Sequence, residues 1–252
     1  MIKKSILLSL ILLLSISITT FAVTGMDFLE NSSLLETNNY DYKALSIIIK
    51  VLTANGQNID IYRSKLLAAV SKQGVEAHAY SLLATSNPDM ATELTAKQQN
   101  GGSWNNDIYL TSLSTYALLA TDQQFTNALS GIDYICSNQN EDGGWGVNGQ
   151  STPLTTIFAV AALKKANSYN DITQKGLEWL LLHQGGEGGW GNHINTAWAC
   201  LALHELGTNP DELEKAVNYL KMFINQDGGW GIYPGEASDP FTSATEYLNL
   251  YI

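Results

Sequence analysis

Residues 175–190 read KGLEWLLLHQGGEGGW: a short amphipathic helix runs into Gln184, a glycine loop follows, and Trp190 closes the unit. The arrangement recurs. Aligning Trp145, Trp190 and Trp230 places Tyr134, Trp179 and Tyr219 each eleven residues upstream, with Ile135, Leu180 or Leu220 following the aromatic. The small pair before it is Ser130 and Gly131, Lys175 and Gly176, or Lys215 and Ala216. Trp104 ends an earlier copy that keeps Gln98 but has Glu93 where the aromatic should stand. The four tryptophans lie 41, 45 and 40 residues apart, the spacing of stacked supersecondary units.

Between these landmarks the hydrophobic pattern is helical. Apolar helices are expected near 42–54, 75–85, 107–120, 154–166, 194–206 and 242–251, and amphipathic ones near 60–73, 89–99, 123–138, 171–183 and 211–225. In the last amphipathic segment Leu213, Val217, Leu220 and Ile224 share one face, whereas residues 196–203 are apolar nearly all round. Wholly buried helices alternating with half-buried ones pack as two concentric rings. The reading is an all-α double ring, an α/α toroid of about six inner and five to six outer helices in ~40-residue repeats. Residues 28–35 are the candidate for a sixth outer helix.

Each glycine loop carries the chain from an outer helix to the next inner one. Glycines at 143–144, 188–189 and 228–229 are expected to supply positive φ. Gln98, Gln139 and Gln184 are expected to satisfy orphan groups at helix ends, with Trp104, Trp145, Trp190 and Trp230 covering that contact. In the last copy Ile224 replaces the glutamine, so that staple should be weaker. Repetition in every unit marks these residues as structural rather than as one active site.

Residues 1–22 read as a secretory signal: Lys3 and Lys4, an apolar run over 6–18, then small residues around Ala22. An uncleaved anchor is the alternative. Residues 23–39 form a polar leader with a short helical stretch at 28–35, and 40–252 form one domain. The expected location is secreted or on the extracytoplasmic cell surface. The net charge is −11, and it falls to −13 without residues 1–22, which carry two lysines and no acid. Such a surface repels nucleic acid and anionic lipid. Cys136 and Cys200 are too few for a disulfide scaffold and read as two packed thiols.

The stretch Lys175 to Trp190 resembles, at every position, the repeat of squalene–hopene and oxidosqualene cyclases, and Gly131 to Trp145 resembles it from the second position onward. The Gly-Gly-Trp-Gly loops are similar to the Gly-Gly-Phe-Gly loops of protein prenyltransferase β subunits. The resemblance covers roughly residues 40–252 and implies a toroid with an aromatic-lined centre. Tyr80, Tyr116, Phe158, Trp198 and Tyr247 are the expected lining.

The family's chemistry is less well represented. Cyclases of this kind carry Asp-x-Asp-Asp-Thr at an inner-helix start, where neighbours assist a buried acid. Here that pattern falls on Asn192, Ile194, Asn195 and Thr196. Asp239 and Asp107 are the carboxylates left near inner-helix starts, and with Glu236 they are the candidates for a non-standard catalytic acid. The zinc pattern of the prenyltransferases falls on Asn195 and Ala197, and Cys200 comes three residues too late, so no metal or other cofactor is expected. His78 reads as a satisfied core histidine.

The leading expectation is therefore a binding or scaffold domain for an apolar, isoprenoid-like ligand. Alternatives are a terpenoid cyclase or prenyl-transferring enzyme with a non-standard acid, and a structural domain that contacts a protein partner at the cell surface.

Overall fold

In this computed structural model, residues 42–251 are described apart from 55, 71–72, 124, 168–169 and 208–209. The signal and leader expectations lie outside the described residues. Eleven helices follow one another there: α1 (Tyr42–Ala54), α2 (Asp60–Val70), α3 (Val75–Thr85), α4 (Pro88–Ala96), α5 (Ile108–Ala120), α6 (Phe125–Ser137), α7 (Pro153–Lys165), α8 (Asn170–Leu182), α9 (His193–Leu206), α10 (Pro210–Met222) and α11 (Pro240–Tyr251).

The odd-numbered helices pack in the order α1, α3, α5, α7, α9, α11, and α11 returns to α1, so the inner ring closes. The even-numbered helices lie outside, each against its inner neighbours. Six inner and five outer helices match the alternation read from the sequence. Inner-helix residues 155–163 are buried all round, whereas α10 buries only Ala216, Tyr219 and Leu220. Ala117, Ala159, Ala161, Ala162, Ala199 and Ala202 are among the buried residues of the inner helices.

The outer helices end earlier than the hydrophobic pattern suggested. Gln98, Gln139 and Gln184 each stand two residues beyond a helix end, already in the loop. The staple also divides its labour differently. Each glutamine amide donates to a carbonyl four residues on and to one in the first turn of the next outer helix. The pairs are Gly102 and Asn127 for Gln98, Gly143 and Ile172 for Gln139, and Gly188 and Glu212 for Gln184, all at 2.7–2.9 Å. The tryptophan indole satisfies the helix end instead. Trp104, Trp145, Trp190 and Trp230 donate to the carbonyls of Leu94, Ile135, Leu180 and Leu220, each third from the end of its outer helix. The tryptophan backbone N–H then donates to Thr111, Thr156, Thr196 or Ser243, the fourth residue of the following inner helix. One loop thus ties three helices together.

Only the first glycine of each pair turns with positive φ: Gly143, Gly188 and Gly228 at 90°, 99° and 85°. The second is small for a different reason, because a Cβ at Gly144 or Gly189 would press on Trp179 or Tyr219 of the next outer helix. A two-residue hairpin that the sequence reading did not include joins Gly146–Val147 (β1) to Gln150–Ser151 (β2). Its turn residues Asn148 and Gly149 both have positive φ, the backbone of an Asn-Gly type I′ turn. Both cysteines are free thiols.

Candidate functional site: the mouth and hub of the inner ring

Each outer helix returns the chain, so successive inner helices run in the same sense and their N-termini share one end of the ring. Bonds among α1, α3 and α5 fix this: Tyr42 and Tyr109 both donate to Glu76, while at the other end Lys50 donates to the carbonyl of Leu83.

The second residue of each inner helix forms the mouth: Lys43, Glu76, Tyr109, Leu154, Ile194 and Phe241, all six half-buried. One side of this circle is polar and internally neutral. The Glu76 carboxylate holds Lys43 Nζ at 2.8 Å, Tyr109 at 2.9 Å and Tyr42 at 3.0 Å. The other side is apolar. Tyr109 keeps partial contact with solvent, yet burial pushes its phenol far above the ordinary tyrosine range, with Tyr80 and Glu76 adding to the shift.

One helical turn deeper stand Ile47, Tyr80, Leu113, Phe158, Trp198 and Thr245, each at most 2% exposed. Their rings meet across the hub. Phe158 lies 5.0 Å from Trp198 and 6.1 Å from Tyr116, and Tyr80 lies 6.5 Å from Trp198. The two levels interlock through Tyr80 with Phe241 at 5.9 Å and Tyr109 with Phe158 at 6.0 Å. Four of the aromatics expected at the centre are therefore linked ring to ring, and Tyr247 is buried on α11.

The carboxylates singled out from the sequence stand elsewhere. Asp107 caps α5, accepting from the Leu110 N–H at 2.9 Å, and Asp239 caps α11, accepting from the Thr242 N–H and hydroxyl. Glu236 is exposed and accepts from the Tyr233 N–H at 3.1 Å. At the start of α9, where a cyclase acid would sit, Asn192 caps the helix and Asn195 donates to the Trp190 carbonyl. His193 is turned to the Gly231 carbonyl at 2.6 Å, and burial lowers its basicity. His78 bridges the Gly74 carbonyl and Glu93, so the residue replacing the repeat's aromatic has become a hydrogen-bond partner.

Sequence reasoning missed the mouth. Its residues differ in type from unit to unit, and only their shared position one residue into each inner helix identifies them. It missed Glu246 as well. That side chain is wholly buried on α11, neither oxygen has a hydrogen-bond partner, and burial raises its carboxyl well above the usual range. Away from the mouth, clefts of about 510 and 580 Å³ meet at Asp142 and Trp179. Asp142 accepts there from Ser151, the Gly144 N–H and the Trp179 indole, and Asp227 repeats the first two bonds with Ser238 and Gly229. The arrangement closes loops.

A family model described as the squalene–hopene cyclase C-terminal domain matches residues 68–198, just over half of the chain. The chain belongs to that family. Among curated proteins, this squalene–hopene cyclase family member is 27% identical over 134 residues to the (+)-kolavenyl diphosphate synthase of Herpetosiphon aurantiacus. The match covers 48% of this chain and 26% of that protein, so the chain spans about a quarter of its relative's length. Two solved structures share the fold. The type II terpene cyclase MstE from Scytonema, in complex with geranylgeranyl dihydroxybenzoate, gives a TM-score of 0.65 at 14% identity, covering 92% of this chain and 96% of that one. Candida albicans protein geranylgeranyltransferase-I, complexed with GGPP, gives 0.63 at 16% identity, covering 91% and 90%.

Proposed function

We propose that the protein binds an apolar, isoprenoid-like molecule at the hub of its inner ring and acts as a binding domain rather than a proton-initiated cyclase. The observation that carries this is the two-level centre: a half-exposed, half-apolar mouth above a buried aromatic layer. Aromatic and aliphatic walls with few polar groups are what an extended hydrocarbon requires. Two proteins of the same fold are complexed with geranylgeranyl compounds, which supports the ligand class. Against an acid role for the three carboxylates read from the sequence, Asp107 and Asp239 are engaged as helix caps and Glu236 lies out on a loop. A carboxyl turned back to the N–H groups of its own helix is not aimed at a bound alkene.

The test is native mass spectrometry of the purified protein with solvent extraction, alongside incubation with squalene and prenyl diphosphates followed by gas chromatography. A co-purifying isoprenoid without turnover supports binding. Product that vanishes on Asp239→Asn would establish the cyclase reading instead. Export belongs to the same proposal, since Lys3, Lys4 and the apolar run that follows have the composition of a secretory signal. N-terminal sequencing of the cell-surface or secreted protein should begin near Val23, and a cytoplasmic chain starting at Met1 would refute it.

A further inference from the structure

The connection from α10 to α11, residues 223–239, is the longest between described helices, and residues 232–237 of it are exposed. It leads to Phe241, on the apolar side of the mouth. Most of its hydrogen bonds fold it onto itself. Asn225 donates to the Glu236 carbonyl and to the Ser238 hydroxyl at 3.0 Å, Ser238 donates to Asp227 at 2.7 Å, and the Tyr233 N–H donates to Glu236. Among the described residues, two hydrogen bonds tie 231–238 to another part of the chain, and both end on His193. Its backbone N–H donates to the Ile232 carbonyl at 3.1 Å, and its Nδ1 donates to the Gly231 carbonyl at 2.6 Å. His193 is the first residue of α9 and precedes Ile194 of the mouth, so one side chain and its own backbone fasten this strap to the apolar rim.

The imidazole is fully buried. A carbonyl only accepts, so the proton of the neutral ring is on Nδ1 and Nε2 keeps a lone pair. Nε2 has no hydrogen-bond partner. The rings beside it are Tyr219 and Phe223, with centroids 5.6 Å away in each case. Burial lowers the basicity of His193, although the Gly231 carbonyl and Glu236 favour its charged form. The titratable groups that face it are Glu236 of the strap and Tyr219 of α10, and Tyr219 in turn feels Glu187 and Glu246. A proton on Nε2 would create a second buried N–H with nothing to accept it.

We propose that residues 231–238 form an acid-released strap: neutral His193 fastens them beside the apolar side of the mouth, and protonation at Nε2 frees them. In the free state water surrounds the imidazolium, so that state takes the proton more readily than the fastened one. Acidification below pH ~6.5 therefore shifts the balance toward the free strap, by up to about tenfold per pH unit, until the fastened imidazole itself is protonated. The device does not depend on what the hub binds.

Amide hydrogen exchange of the intact protein at pH ~7.5 and pH ~5.5, corrected for the intrinsic effect of pH on exchange, tests the proposal. The N–H groups of His193, Glu236 and Asp239 donate to the Ile232, Tyr233 and Trp230 carbonyls, and their protection should fall about tenfold at the lower pH. Protection in the middle of α5 and α7 should hold, which separates release of the strap from unfolding. His193→Asn keeps an amide N–H near the place of Nδ1 and does not titrate, so its strap should be equally protected at both pH values. His193→Phe keeps a ring beside Tyr219 and Phe223 and serves as the second variant. Its strap should be looser throughout and equally indifferent to pH. Unchanged protection of the native strap, a loss in either variant equal to the native one, or a loss shared by α5 and α7 would overturn the proposal.

Discussion

Gly188 turns with φ +99°, and a Cβ there would collide with the carbonyl of Lys215 at the next outer helix. Gly186, two residues earlier in the same loop, has open space around it and no left-handed backbone. Gly188→Ala is therefore expected to cost about 1–3 kcal/mol, and Gly186→Ala less than about 0.5 kcal/mol, in urea unfolding. The glutamines allow a second contrast. Gln184→Leu removes two donors from the Gly188 and Glu212 carbonyls and should cost about 1–3 kcal/mol. The natural Ile224 shows what such a unit looks like: its Trp230 indole bond persists at 2.8 Å without any glutamine bridge. These residues were legible in the sequence because they recur with fixed spacing. What each one bonds was not, since a glutamine and a tryptophan can both reach carbonyls and only the loop geometry decides which.

At the level of the helix, periodicity identified every described helix, because a fully apolar run and a one-sided run differ in composition. It said little about which side chains of an inner helix face the hub. Those in its middle turns are nearly all buried, so nothing in the pattern separates Ser112 from Leu113, or Glu246 from Ala244. The hairpin was missed although Asn148 and Gly149 spell its turn, because two-residue strands carry no alternation to read. Glu246 on α11 leads to a pH prediction. Its carboxyl is raised above the ordinary 4.5 by burial, and the titratable groups that feel it are Cys200 of α9 and Tyr219 of α10. Above pH ~4.5 the unfolded chain releases this proton while the folded chain keeps it. The contribution of Glu246 to stability is thus greatest below that pH and declines as pH rises, by up to about 1.4 kcal/mol per unit, until Glu246 itself ionises. Glu246→Gln should match the native protein at pH 4 and exceed its stability at pH 7 in parallel urea titrations. Equal stability of the two at both pH values would show that the carboxyl gains no protection from titration in the fold.

The molecule as a whole is a ring closed by α11 against α1, and closure changes how it should unfold. An open array of repeats is stabilised by nearest-neighbour terms alone, so a weakened end can fray while the far end stays folded. In a closed ring every inner helix has two inner neighbours, and loss of one seam exposes apolar faces on both sides of it. The last unit is the place to look, since its staple has no glutamine bridge and α11 carries the unpartnered Glu246. Urea unfolding followed by far-ultraviolet circular dichroism, which reports all the helices, should coincide with unfolding followed by Cys200 labelling, which reports the seam between α9 and α11. Gln139→Leu, placed in the second staple and distant in sequence from Cys200, should lower both midpoints together, by the same free energy. Labelling of Cys200 well ahead of the helical signal, or a Gln139→Leu effect confined to one probe, would mean that the seam opens by itself and that the repeats behave as a linear stack.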